Sequence, residues 1–209
     1  MSTDRSKDIL SGIRNVAIAG AGGIGAYLAG FLYDLGVNRG QFPFTTWKWS
    51  IFDDDTVDHT NLLHQNFTED DIGRPKAEII AERTVNAITP VPRFMTTEDF
   101  AKFDVVFSCV DSMTFRRELY DYGWNHPELY WIDGRCSSRN IGLFNSLVQK
   151  KTLRASLTDS NERRGCLLAA DKAKKTSHIT PVTIASMMAQ CFLNHIRGED
   201  IVDQVLLYI

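Results

Sequence analysis

The apolar run Asn15-Val-Ala-Ile-Ala19 leads directly into Gly20-Ala21-Gly22-Gly23-Ile24-Gly25, and helically spaced apolar residues follow over Ala26–Leu35. Few arrangements constrain a chain more. A buried parallel strand, a turn that only glycine can make, and a helix whose N-terminus faces the turn form the opening unit of a dinucleotide fold. Without a Cβ, the backbone can turn sharply and bring its N–H groups close to phosphate oxygens. The helix end adds partial positive charge. The loop alone promises a nucleotide phosphate and does not distinguish NAD from ATP.

The rest of the 209 residues reads as strands alternating with helices. Strands are expected at Trp47–Phe52, Asp104–Cys109, Leu129–Asp133 and Ile141–Val148, with Val205–Ile209 closing the sheet. Helices are expected over Arg74–Ala87 (Pro75 in its first turn), Met113–Trp124 and Pro181–Arg197, and Gly36 is expected to cap the glycine-loop helix. Gln149–Thr180 has no period and reads as one long loop. The expected fold class is α/β: a Rossmann-like, doubly wound, mostly parallel sheet with helices on both faces, forming one domain over residues 1–209. No internal repeat interrupts it.

Composition narrows the function classes. A formal net charge of −3 supplies no global attraction to nucleic acid or an anionic membrane, so neither is an expected partner. No apolar run reaches the roughly 20 residues of a membrane span, and Met1–Asp8 carries no signal-peptide core, so a cytoplasmic chain is expected. Cys109, Cys136, Cys166 and Cys191 are scattered without a Cys-x-x-Cys pair. That spacing leads us to expect neither a disulfide framework nor zinc.

Asp53 ends the second strand, where a carboxylate can accept hydrogen bonds from ribose hydroxyls. Asp54 and Asp55 read equally well as a solvated turn. The following segment decides between nucleotides. Phe52-Asp-Asp-Asp-Thr-Val-Asp-His-Thr-Asn-Leu-Leu-His-Gln65, then Asp71-Ile-Gly-Arg-Pro-Lys76, combine with the glycine loop in order and spacing. Together with Asn86-Ala-Ile-Thr-Pro90, read as a helix end, Cys109-Val-Asp111, and the helix Thr180-Pro-Val-Thr-Ile-Ala-Ser-Met-Met-Ala-Gln-Cys191, this resembles the ThiF/MoeB/HesA family. Its adenylating domain is shared with ubiquitin-activating enzymes, and the resemblance covers most of the chain.

The resemblance implies an adenylyltransferase that uses ATP and Mg²⁺. Such an enzyme joins the α-phosphate to a carboxylate, usually the C-terminal glycine of a ubiquitin-like or sulfur-carrier protein ending in Gly-Gly. It also implies a homodimer. By position, Gly20, Gly22, Gly23 and Gly25 would cradle the phosphates, Asn61 would contact the phosphate region, Asp53 would hold the ribose, and Asp55 and Gln65 would line the rest of the nucleotide site. Lys76 would meet the phosphates as a point charge, and Asp111 would bind Mg²⁺ through oxygen. Read from the residues alone, a lysine after Gly-x-Pro is usually a solvated surface group.

The sequence departs from the family pattern in lacking a convincing N-terminal arginine motif (Arg5 is not in one) and the paired Cys-x-x-Cys zinc ligands of some members, and above all at His64. His64 stands where the family carries an arginine on the triphosphate; imidazole lacks the bidentate fork and is only partly charged near neutral pH. Arg74, close in sequence, is a candidate stand-in, and a catalytically degenerate nucleotide-binding subunit is the alternative reading. An NAD-dependent oxidoreductase is a further rival, for which 209 residues leave little room for a substrate domain. Cys166, flanked by Arg164 in a segment with eight Lys/Arg against three Asp/Glu between Lys150 and Lys175, is a candidate nucleophile. Inert packing is the competing reading for Cys166, and Cys109 and Cys191 read as core.

Overall fold

The computed structural model describes residues 9–157, 173 and 179–208. In chain order the elements are β1 (Asn15–Ala19), α1 (Gly25–Tyr33), β2 (Lys48–Phe52), α2 (Lys76–Arg83), β3 (Thr89–Val91), α3 (Thr97–Phe100), β4 (Val105–Ser108) and α4 (Met113–Asn125). They continue as β5 (Tyr130–Ser137), β6 (Asn140–Asn145), α5 (Lys150–Ala155), α6 (Thr180–Ile196) and β7 (Gln204–Tyr208). The strands form one sheet in the order β3-β2-β1-β4-β5-β6-β7. Pairing is parallel from β3 to β5 and antiparallel from β5 through β7. This is the expected Rossmann-like α/β class, extended by an antiparallel edge.

Because side chains of a strand alternate between faces, each strand feeds two cores. Val16 and Ile18 of β1, with Val105 and Phe107 of β4, pack against α1, α2 and α6. Ala17, Ala19 and Val106 pack on the opposite face with Phe115, Leu119 and Tyr120 of α4. Each fully buried aromatic or branched side chain contributes about 1.5–3 kcal/mol. The two layers therefore fix the sheet between helices and hold the carboxyl ends of β1 and β4 side by side.

Several boundaries differ from the sequence reading. Gly36 does not cap α1: the helix passes into a π-turn over Asp34–Asn38 in which Gly36 is buried. A Cβ on Gly36 would lie 2.5 Å from Phe44 Cβ, so glycine is needed there for close packing. Pro75 has extended backbone and precedes α2, which ends at Arg83 because Val85 and Asn86 take positive φ. Asn86–Pro90, read as a helix end, instead leads into an edge strand, Thr89–Val91, a place where proline, which lacks an N–H to donate to the sheet, is tolerated. α3 was not foreseen. α5 lies inside the stretch expected to be a loop, anchored by the fully buried Leu153.

Candidate functional site

The strand order reverses between β1 and β4, and in open α/β sheets ligands bind at such a switch point, outside the carboxyl ends of the strands. A cleft of about 390 Å³ lies there. Its walls come from the glycine loop, the β2 end, the 3₁₀ turn Asn61–Leu63, the start of α2, and the turn from Cys109 into α4.

The loop is tied to both neighbouring strands: Gly20 N–H donates to Phe52 O at 2.7 Å, and Cys109 N–H to Ala19 O at 2.8 Å. Gly20 has φ +94°, and a Cβ there would sit 2.9 Å from Cys109 O. A Cβ on Gly25 would fall 1.8 Å from Gly20 O. Gly25 is thus required for α1 to seat on the loop, while Gly20, Gly22 and Gly23 line the cleft itself.

Asp53 holds the loop from the other side. Its Oδ2 accepts from Ala21 N–H at 2.6 Å and its Oδ1 from Asp55 N–H at 2.9 Å. Burial raises its carboxyl pKa above the ordinary value, only partly offset by those two backbone donors and by Lys76. Lys76, whose side chain is 5% exposed, points Nζ at Asp55 Oδ2 at 2.9 Å. The surface-lysine reading of Lys76 is therefore excluded. Asn61 is buried, its Oδ1 accepting from Asp58 N–H at 3.0 Å, which closes the turn that presents it.

His64 and Gln65 line the same cleft, with Gln65 Nε2 3.4 Å from His64 Nε2. Asp111 lines it from the β4 side. Arg74 is not brought there: its guanidinium pairs with Glu82 and lies 4.0 Å from Asp71. In this structure, the exposed pair with Glu82 holds Arg74 away from the cleft. Cys166 lies outside the described residues. Cys191 is core, whereas Cys109, also buried, borders the cleft.

Sequence reasoning missed a second group. Asp133 is fully buried in β5; its Oδ1 accepts from Ser108 Oγ at 2.6 Å and Arg116 Nε at 3.1 Å, its Oδ2 from Tyr120 Oη at 2.5 Å and Arg135 Nε at 2.6 Å. Burial alone would raise its pKa, but Arg116, Arg135 and the two hydroxyl donors hold the carboxyl well below the usual range. Arg116 also donates to Val110 O at 2.6 Å, fixing the turn that carries Asp111. The legible signal was Arg135 two residues beyond Asp133, charges that the periodicity read as the end of a strand.

A model of the ThiF family matches residues 3–208. Ubiquitin-like modifier-activating enzyme 5 of Culex quinquefasciatus is 29% identical over 150 residues, covering 61% of this chain and 35% of that protein. The sulfur carrier protein ThiS adenylyltransferase of Escherichia coli (strain K12) is 32% identical over 114 residues, covering 50% and 42%. The chain thus spans about a third of the first of these relatives. Among solved structures, the microcin C7 biosynthetic enzyme MccB in complex with N-formylated MccA superposes with a TM-score of 0.71 at 16% identity, covering 99% of this chain and 64% of that one. E. coli MccB with ATP gives 0.68 at 16%, covering 99% and 63%.

Proposed function

Because the chain belongs to the ThiF family, we propose that it adenylates a carboxylate with ATP, the substrate being the C-terminal glycine of a small ubiquitin-like or sulfur-carrier protein. One observation carries this reading. The glycine loop, Asp53, Asn61, Lys76 and Asp111 all line a single cleft at the switch point of the sheet. Their names as relatives point the same way: one is a modifier-activating enzyme, another acts as an adenylyltransferase on ThiS.

Chemically, the carboxylate oxygen bonds to the α-phosphorus, the bond from that phosphorus to the bridging oxygen breaks, and pyrophosphate leaves with the electron pair. No proton has to move. Catalysis therefore rests on positioning and on neutralising charge. Loop amides and the α1 N-terminus would face the phosphates, Lys76 would exchange Asp55 for a phosphate oxygen, and Asp53 would orient the ribose. The carboxylate oxygens of Asp53, Asp54 and Asp55 lie within 4.8 Å of one another, and Asp111 borders the same cleft. These are the hard oxygen donors that Mg²⁺ prefers, and Mg²⁺ bound there would neutralise phosphate charge.

A homodimer belongs to the same proposal, supported by exposed apolar side chains on β7 (Leu206, Leu207, Tyr208); light scattering tests it. Among the described residues no helix is long and apolar enough to cross a membrane; a cytoplasmic site of action belongs to the same proposal. A second reading, a nucleotide-binding subunit that has lost catalysis, is favoured by His64 in the cleft with Arg74 turned to Glu82. Trapping separates the two. Incubated with ATP, Mg²⁺ and a carrier ending in Gly-Gly, an active enzyme yields an acyl-adenylate mass; a degenerate subunit shows an ATP-induced thermal shift without that mass.

A further inference from the structure

The Asp133 cluster holds two guanidinium groups against one carboxylate. Among the described residues, Asp133 is the carboxylate in salt-bridge contact with Arg116 and Arg135, whose side chains are 6% and 14% exposed. Among the described residues one positive charge is therefore in excess in this cluster, and a buried charge is costly unless paired. The excess is not shared equally. Arg135 directs its three nitrogens at oxygen acceptors: Asp133 Oδ2 at 2.6 Å, Ser156 O at 3.0 Å and Tyr120 Oη at 2.6 Å. Arg116 directs Nε at Asp133 and Nη2 at Val110 O, but among the described residues Nη1 meets only the sulfur of Met113 at 3.7 Å, a weak acceptor.

The position of Arg116 matters as much as its spare donors. A second cavity of about 570 Å³ lies on the antiparallel side of the sheet, walled in part by Phe144, Leu206, Leu207 and Tyr208. Arg116 and Cys136 border both this cavity and the nucleotide cleft. Lys76 and the glycine loop stand on the β1–β2 side of the cleft, whereas Arg116 stands at its seam with the second cavity.

We infer that Arg116 receives the carboxylate that is to be adenylated, holding it at the seam between the two cavities so that an oxygen faces the α-phosphate. The inference rests on the adenylation reading and names the residue that selects a free carboxylate. A guanidinium is suited to this, since its planar fork takes both carboxylate oxygens and it stays protonated throughout. It neither gives nor takes a proton in the reaction. Phosphate is the other anion that could satisfy Arg116, and the test distinguishes them.

The experiment loads the protein with α,β-methylene ATP, which cannot react, and titrates N-acetylglycylglycine or its C-terminal amide while following ligand-detected NMR and the melting temperature. The carboxylate form should bind the loaded protein at least tenfold more tightly than the amide. Arg116→Gln, which leaves Asp133 and Arg135 as a neutral pair, should erase the discrimination when compared at nucleotide concentrations that saturate the variant. Arg116→Lys, retaining the cation without the fork, should weaken acetylglycylglycine several-fold and leave the amide unchanged; it serves in place of Arg116→Gln if the latter does not fold. Undiminished discrimination in the nucleotide-saturated variants overturns the inference. Nucleotide binding without carboxylate preference in the wild type overturns the inference alone, whereas no nucleotide binding overturns the adenylation reading as well.

Discussion

Lys76 Nζ lies 2.9 Å from the Asp55 carboxylate, and the lysine side chain is almost fully buried while the aspartate is half exposed. On the proposed reading, a buried ammonium with one solvated partner would change partners when phosphate enters the cleft. Lys76→Met should therefore fold, since the stem packs as before, yet lower the rate of ATP-dependent adenylation by about 10²–10³, the range for loss of one preorganised electrostatic group. A pyrophosphate-exchange assay on the purified variant checks this, with circular dichroism as the folding control.

The glycine loop predicts a graded series. Gly25→Ala places a methyl 1.8 Å from Gly20 O, and Gly20→Ala combines a 2.9 Å contact with positive φ. Both should lower the melting temperature and abolish the ATP-induced shift. At Gly22 a Cβ would meet Gln65 Oε1 at 3.6 Å, an ordinary contact. Gly22→Ala should therefore keep the apo melting temperature within about 2 °C, in line with surface-like changes.

Asp133 should govern acid stability. Its folded pKa is depressed, so its contribution is fully present above the unfolded carboxylate value, about 3.9, and is lost as pH falls below it toward the folded value. Asp133→Asn leaves two buried guanidinium groups without a counter-charge and should destabilise the protein by about 3–5 kcal/mol at neutral pH. The difference from wild type should shrink as pH drops below about 4. Urea melts from pH 3 to 7 read both effects; a gap that stays constant across that range contradicts the assignment.

His64→Arg restores a permanent charge and a bidentate fork beside the cleft. A gain on the order of tenfold in ATP affinity is expected from one added charge-assisted contact, about 1.4 kcal/mol. Isothermal titration with ATP measures it, and an unchanged affinity would show that the position does not reach the triphosphate.

Much of this was legible in the sequence, for a physical reason. Strand–glycine loop–helix is a local signal, and the Asp53, Asn61, Lys76 and Asp111 positions follow from short motifs at the ends of elements that periodicity identifies. What stayed hidden depends on contacts between distant segments. From the sequence, one strand is expected over Leu129–Asp133, ending at its aspartate. The strand runs on to Ser137 because Arg116, 17 residues earlier, and Arg135 neutralise that charge. Arg74 is paired with Glu82, eight residues on, a contact that the motif could not show. Thr89–Val91 is too short to show a period of its own and is a strand only through its pairing with Ser50–Phe52.

The central claim is that this cleft makes an acyl-adenylate, and exchange of labelled pyrophosphate into ATP tests it most directly. With Mg²⁺ and a panel of small carrier proteins ending in Gly-Gly, we expect exchange that depends on a free C-terminal carboxylate and falls at least a hundredfold in Lys76→Met. ATP binding without exchange for any carrier, or exchange unaffected by Lys76→Met, would contradict it.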